Sequence, residues 1–278
     1  MTGRRTAREL ERAAAGRPAP ATVAAATGEA EAMLVRRGLR PRLARPDLPF
    51  PRDLDGPEAE RLAEKLGHYG FRLFLRGAIL ARGPFRPADV TRYLTAAQAE
   101  AAAEALVALG LGRRDPDGRC RLRWPARSFG GTLEWWVARE LRRRLGLDVL
   151  AGVRSGARGV GGDLDVVAAG EGKLLYVELK SSPPKHITAS EVAAFVDRLR
   201  ALRPHLSIFA VDTALRLPDK VLPMLAGAVG TAAAPRRLLR DCWAVAPGLY
   251  AVNARQDLVE NLCVAIADGL LALSPDPP

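Results

Sequence analysis

Apolar positions along this chain change period several times, and each change marks an element. Between residues 57 and 110 they recur every three to four positions, which predicts helices over 58–66, 69–82 and 96–109. Pro87 suits the first turn of a short helix reaching 94, Thr95 suits an N-cap, and Gly110 suits a stop. The period then falls to two on either side of Asp115-Pro116-Asp117-Gly118, predicting a hairpin of 111–114 with 119–124. A helix over 133–145, capped by Thr132, aligns Val137, Ala138, Leu141 and Leu145 on one stripe, and Glu134 begins that stripe. Next come a strand at 148–153, a Gly-rich loop at 154–162 and two strands around Glu171-Gly172. A helix at 190–202 capped by Ser190 and a strand at 206–212 follow. Helix 221–229, strand 249–252 and helix 257–273 complete an α/β layer. Before residue 57 only 24–37 has a helical pattern. Pro41, Pro46, Pro49 and Pro51 make the rest an extended arm, either flexible or packed on. The expected organisation is an Arg/Ala/Pro-rich extension (1–56), a mainly helical module (57–127) and an α/β domain (128–278).

Chemistry concentrates in residues 161–182. With Glu171-Gly172 at the centre of a two-residue turn, Asp165 falls opposite Glu178, and Asp163 opposite Lys180. Alternation places these four on one face and Leu164, Val166, Val177 and Leu179 on the other. Opposed carboxylates with Cβ atoms about 5 Å apart repel. A divalent cation between them removes that cost, and hard carboxylate oxygens suit Mg²⁺ or Mn²⁺.

A helix bearing Glu134, a strand bearing Asp165 and a strand ending in Glu178-Leu179-Lys180 resemble the PD-(D/E)XK nuclease superfamily, and by spacing its Holliday-junction-resolvase and restriction-endonuclease-like branches. The resemblance spans residues 130–212, about a third of the chain, and departs from the pattern in having Leu164 before Asp165 in place of Pro. It implies a restriction-endonuclease-like mixed sheet flanked by helices. It also implies a metal held by Asp165, Glu178 and the Leu179 carbonyl, with Glu134 orienting water or lysine or joining a second cation. Lys180 would orient water or stabilise phosphate charge. Asp163 reads either as a partner of Lys180 or as a surface carboxylate; Glu140, off the stripe, reads as solvated. Ser181 and Ser182 read first as strand-end turn residues and second as contacts to phosphate.

Charge shifts attention to the other half. The chain carries 42 Lys+Arg against 31 Asp+Glu, and residues 1–127 hold +9 of that excess against +2 for 128–278. Such a footprint fits a polyanion, although an Arg- and Ala-rich composition also follows from GC-biased coding. Only five cations are Lys, yet position 180 is one of them. An ammonium is a compact charge that can exchange a proton, which guanidinium does not. Three helices and a hairpin in 57–127 resemble a winged helix-turn-helix. Its second and third helices would be 88–94 and 96–109, and its wing would carry Arg113, Arg114, Arg119, Arg121 and Arg123. The third helix has two Glu, no Arg or Lys, and only Gln98 suited to base edges, so wing and phosphate contacts are the expected DNA-facing elements. Arg154 and Arg158 are further phosphate candidates beside the metal.

Cys120, Cys242 and Cys263, like His68, His186 and His205, are too scattered for a zinc set or a Cys–His pair, and three thiols suit a reducing cytosol. No segment is apolar enough to cross a membrane, and the N-terminus does not read as a secretory signal. The expectation is therefore a cytoplasmic, Mg²⁺-dependent endonuclease hydrolysing phosphodiester bonds in DNA, with self-association into a homodimer left open. Two alternatives stand beside it: an RNA endonuclease, and a non-catalytic DNA-binding or assembly protein on a nuclease-like scaffold.

Overall fold

The computed structural model describes residues 28–154 and 163–275. Helices are α1 (Glu29–Arg36), α2 (Gly56–Gly67), α3 (Tyr69–Leu80), α4 (Ala96–Ala108), α5 (Gly130–Leu145), α6 (Ala189–Leu202), α7 (Val221–Val229) and α8 (Leu258–Ala272). Strands are β1 (Arg42–Leu43), β2 (Gly112–Arg114), β3 (Cys120–Leu122), β4 (Asp148–Arg154), β5 (Asp163–Gly170), β6 (Lys173–Lys180), β7 (Leu206–Val211), β8 (Arg236–Arg237), β9 (Cys242–Ala246) and β10 (Leu249–Asn253). The fold is mixed α/β. One eight-stranded sheet, in the order β1-β4-β5-β6-β7-β10-β9-β8, is flanked by helices on both faces, and β2-β3 stands apart as a hairpin. The β6–β7 and β7–β10 pairs are parallel and the others antiparallel.

The two faces are buried by different layers. Leu133, Val137 and Leu141 of α5 and Leu262 and Ile266 of α8 pack on the face presenting Val166, Val177 and Ile208. That apolar cluster continues without a break into Leu62, Phe74 and Leu106 of α2, α3 and α4. On the opposite face, Met33 and Leu34 of α1, Phe195 of α6 and Leu222 of α7 cover Val167, Tyr176 and Phe209. The described part of the arm, residues 28–55, is thus packed on. The α1 helix roofs one face, β1 pairs with the edge strand β4, and Leu48 and Phe50 are buried in the first layer. Asp47 then accepts from the amides of Arg127 (2.7 Å) and Ser128 (3.2 Å), tying this arm to the start of α5.

Local chemistry explains most boundaries. Thr95 with Gln98, and Thr188 with Glu191, form reciprocal capping boxes at α4 and α6, while Asp257 caps α8. The expected caps Thr132 and Ser190 are displaced, because α5 begins three residues earlier, at Gly130, and Thr188 takes the cap of α6. The expected helix at 88–94 is only a 3-10 turn, Pro87–Asp89. Beyond it the amide of Tyr93 is taken by the Thr91 hydroxyl, a local bond that competes with helix. Two pieces of the sheet have no pattern long enough to announce them: the two-residue strand β1 and the β8–β9 hairpin.

A buried ion cluster joins the helical module to the sheet. Asp212, just past β7, accepts from Arg72 Nε at 3.0 Å and from Arg76 at 2.8 Å, both on α3. Arg72 also donates to the carbonyls of Leu66 (2.5 Å) and Gly67 (3.1 Å), and its guanidinium lies 4.7 Å from the Trp136 ring centroid. Arg72 and Asp212 are each 1% exposed, so the pair stands only because the geometry satisfies nearly every donor.

Candidate active site

The β5–β6 hairpin has the register that its turn predicts, with Gly170 opposite Lys173 through Val166 opposite Val177. Glu171 and Gly172 both adopt positive φ (52° and 68°), as a type I′ turn requires. Backbone pairing stops at Val166–Val177. Beyond that point β5 continues beside β4 and β6 beside β7, so the two strands part. The gap is bridged by a side chain: Asp165 Oδ2 accepts from the Leu179 amide at 2.7 Å. Leu164, paired with Val153 at this diverging end, leaves the expected alternation and joins the second apolar layer.

Glu178 projects from β6 on the Tyr176 side and is 2% exposed. Its Oε1 accepts from Arg198 (2.8 Å) and lies 3.0 Å from Lys180 Nζ, while Oε2 accepts from the Tyr176 hydroxyl. Arg198, on α6, also donates to the Tyr176 oxygen at 3.0 Å. Lys180 reaches Glu191 at the start of α6 as well, at 3.4 Å. Burial works to lower the Lys180 ammonium but is outweighed by Glu178, Glu191 and Asp165, which hold it above its ordinary value. Lys180 therefore stays charged, and a cation is what it contributes.

Glu134 approaches from α5. Gly152 of β4, at φ +60°, passes so close that a Cβ there would lie 3.2 Å from Glu134 Oε2. Glu134 has no hydrogen bond or ion pair among the described residues. Burial, then Asp163 and Glu178, push its carboxyl up to about 7. Asp165 is raised well above the usual carboxylate range by burial, then by Glu178 and Glu134, and the Leu179 amide and Lys180 only partly offset this. The structure thus brings Glu134, Asp165, Glu178 and Lys180 into one electrostatically coupled group where the strands part. Three like charges crowd one cation of their own and the Arg198 guanidinium.

Other expectations fare differently. Asp163 is exposed and pairs with Arg154 at 3.3 Å, so it does not serve Lys180. Arg158 lies outside the described residues. Glu140 is not solvated; it is 6% exposed and bound by Arg143 and Arg144, both at 2.8 Å. On the β2–β3 hairpin, Arg114 pairs with Glu100, Arg119 with Asp117, and Arg113 and Arg121 with Asp115; Arg123 is exposed without a partner among the described residues. Gln98 spends its carbonyl on the Thr95 amide. Tyr176, Glu191 and Arg198 were not anticipated. Period-two spacing from Glu178 marks Tyr176, and a cation three residues past Phe195 on an inward stripe marks Arg198, the same signal that marks Glu134.

Whether these residues fit a divalent cation can be asked of the donors themselves. Among the described residues no group of three His, Cys, Asp or Glu side chains is gathered closely enough to hold a metal. Yet two carboxylates are raised in a buried site for want of positive charge, one with no partner among the described residues. By donor chemistry, all-oxygen groups of this kind are of the type that suits a hard cation.

The fold and this arrangement define a mixed α/β scaffold with a charged group at its central strands. In chain order α5-β4-β5-β6-α6-β7 carries the acidic group at the parting of two central strands. Comparison with solved structures agrees at the level of fold. Protein VC1899 from Vibrio cholerae superposes with a TM-score of 0.51 at 15% identity, over 87% of this chain and 62% of that one. Can2 from Sulfobacillus thermosulfidooxidans, solved in complex with cyclic tetra-adenylate, gives 0.50 at 14% identity, over 85% and 61%. The chain spans about three fifths of the length of these structures. No family model and no curated protein matches the sequence.

Proposed function

We propose that this chain is a metal-dependent nuclease that hydrolyses phosphodiester bonds, with DNA as the substrate. The observation that carries this reading is the coupled group itself: Glu134, pushed up to about 7 by burial, Asp163 and Glu178, and Asp165, raised by burial, Glu178 and Glu134, beside a charged lysine where β5 and β6 part. Buried like charges are costly, and a fold that keeps them at one spot has a use for the field they make. Asp165 and Glu178, with the Leu179 carbonyl, would hold Mg²⁺ or Mn²⁺, with Glu134 acting on water beside them. When bound, the cation supplies polarisation of a phosphoryl oxygen and acidification of water.

The chain's own groups do the rest. Glu134, half ionised near neutrality, accepts a proton from the attacking water as its oxygen bonds to phosphorus. The bond from phosphorus to the leaving deoxyribose oxygen breaks, and that oxygen takes a proton from solvent. Lys180 faces the negative charge that builds on the phosphoryl oxygens. Tyr176 and Arg198 hold Glu178 in one rotamer. The helical module, followed by its hairpin in winged-helix-like order, serves through its helices and their connections as a nucleic-acid-binding part. Can2's cyclic tetra-adenylate, itself phosphodiester-linked, is in keeping with this ligand class. Among the described residues no helix is long and apolar enough to cross a membrane, and a cytoplasmic location belongs to the same proposal.

The test is incubation of plasmid, branched and single-stranded DNA with the protein and Mg²⁺, Mn²⁺, Ca²⁺ or chelator, beside Lys180→Ala. Cleavage with Mg²⁺ or Mn²⁺ that chelator and the substitution both abolish is expected. Cleavage indifferent to both would overturn the assignment, as would none on any substrate.

A further inference from the structure

Glu178 and Lys180 stand at the end of β6, and the chain leaves that end into a cleft. Ser181 and Ser182, directly after Lys180, form one wall of a cleft of about 490 Å³. Arg76 of α3, Arg92 and Tyr93 after the Pro87–Asp89 turn, and Arg127 before α5 form the others. Among the described residues that line it, three are arginines and none is acidic. This is the reverse of the β2–β3 hairpin, where four of five arginines face a carboxylate.

We infer that this cleft holds a single strand of nucleic acid, with Arg76, Arg92 and Arg127 on its phosphates and Tyr93 stacked on a base. Four observations converge. Tyr93 is 60% exposed, a large ring left in water on the wall of the cleft. Its phenol accepts from Arg92 at 3.1 Å, and the Arg92 guanidinium lies 5.1 Å from its ring centroid, so ring and cation are presented together. Arg92, then Lys185 at longer range, hold that phenol below its ordinary value, a sign of the positive field there. Arg76 is anchored by Asp212 and lies 5.2 Å from the Phe129 ring centroid, with its Nε buried and without a partner. The Arg127 guanidinium has no partner among the described residues.

A cationic groove with an aromatic platform is the recognition chemistry of single strands, because every unstacked base offers a π-face and a duplex hides it. The volume suits a few nucleotides and not the breadth of a double helix. The position fits too: a strand lying along Ser181 and Ser182 passes within a residue of Lys180. The inference rests on the nuclease reading and names the form of its substrate.

The experiment measures fluorescence anisotropy of labelled oligonucleotides of about 15 nucleotides, as single-stranded DNA, single-stranded RNA and duplex DNA, in chelator so that nothing is cut. The full chain is compared with Tyr93→Ala, with Arg92→Ala/Arg127→Ala, and with Arg113→Ala/Arg119→Ala on the hairpin. Every substituted residue is exposed, and thermal unfolding verifies each variant. Single strands should bind at least about tenfold more tightly than duplex. Tyr93→Ala should weaken them about 5- to 150-fold, the range for loss of one base–aromatic stack. The double arginine variant should reduce the log–log salt slope by about 1.4 on single strands, about 0.7 per phosphate contact. The hairpin variant should bind as the parent does. The DNA and RNA arms show which sugar is accepted. Unchanged binding by Tyr93→Ala and by the double variant overturns the cleft, as does tighter duplex binding or no binding at all. Failure of the nuclease reading looks different: the cleft variants lose affinity as expected, while the full chain with Mn²⁺ leaves every strand intact.

Discussion

The β2–β3 and β5–β6 hairpins are both charged, and the charge is handled in opposite ways. On β2–β3, Arg114, Arg119 and Arg121 lie in water and face Glu100, Asp117 and Asp115. Each pair is exposed and worth little, and losing one leaves a solvated ion behind. On β5–β6, Asp165 and Glu178 share a buried face with Glu134 near them, and carboxylates there outnumber the cations of the hairpin. The first arrangement is a solvated surface. The second is a field maintained against its own repulsion. A count of charges along the sequence weights the two alike, and had favoured the N-terminal half for nucleic acid; burial without matching countercharge separates them.

The sharpest way to break this contrast is to neutralise the buried group. Lys180→Ala and Asp165→Asn should each lower the rate of Mn²⁺-supported cleavage by about 10²- to 10³-fold, the usual loss of one preorganised electrostatic group. Affinity for a single strand in chelator should stay within about twofold. Wild-type cleavage by Asp165→Asn would put the site elsewhere.

A third buried charge sharpens the comparison, because Asp212 has two arginines. Arg72→Ala leaves a carboxylate in the core and should cost about 3–5 kcal/mol. At about 2–4 °C per kcal/mol the melting temperature falls by roughly 6–20 °C. Arg72→Met with Asp212→Leu should recover part of the loss, since removing both charges leaves nothing unpaired. A single variant melting with the parent would show that the cluster reorganises freely.

Much of this was legible and some was not, for physical reasons. Glu171-Gly172 fixes a two-residue turn, and the turn fixes the register that sets Asp165 against Glu178. Glu134 was legible as a carboxylate on an apolar stripe. Thr95 and Asp257 announce helix starts through bonds made within four residues. What escaped depends on partners distant in sequence. Arg72 meets Asp212 across 140 positions, and Arg198 meets Glu178 across 20. The strands β1 and β8 are two residues long and exist only because an edge is there to pair with. The parting of β5 from β6 follows from their different outer neighbours, which no local pattern encodes.

Glu178 tests whether the buried group is tuned or merely crowded. Arg198→Met or Tyr176→Phe removes a bond to it without touching Asp165 or Lys180. Each should raise the Mn²⁺ concentration for half-maximal cleavage about 10- to 100-fold, the range for an outer support of a ligand. Cleavage at saturating Mn²⁺ should be largely restored, and the unchanged variant Glu140→Gln should show no such shift. A fall in rate that excess Mn²⁺ does not restore would mean that the two residues serve folding.

A smaller effect reads the repulsion through pH. Glu134 is raised from its ordinary 4.5 to about 7, so the folded chain binds this proton more tightly than the unfolded one does. Its contribution to stability is therefore fullest below about pH 4.5, falls as the pH rises toward 7, and is absent above that. Glu134→Gln should melt a few degrees above the parent at about pH 8 and with it at about pH 4.5. Mn²⁺ should stabilise the parent more at about pH 8 than at about pH 5, since it answers the charge that appears between them. A Glu134→Gln variant less stable than the parent at both pH values would show that the carboxylate makes bonds the fold needs.

The smallest effect expected lies on the other hairpin, and its smallness is the point. Arg119→Ala removes a partner of Asp117 where both side chains are about half exposed, at 48% and 59%. An exposed pair of this kind contributes about 0–1 kcal/mol, and the abandoned carboxylate is solvated at once. The melting temperature should move by no more than about 2 °C. Cleavage rate and single-strand affinity should stay within about twofold, because the charge removed is already matched on the surface and stands on a hairpin outside the cleft. A large loss of affinity in Arg119→Ala, with stability unchanged, would reverse the comparison. It would mean that the hairpin exchanges its own carboxylates for phosphates on binding, and that matched surface charge is a store of binding cations after all.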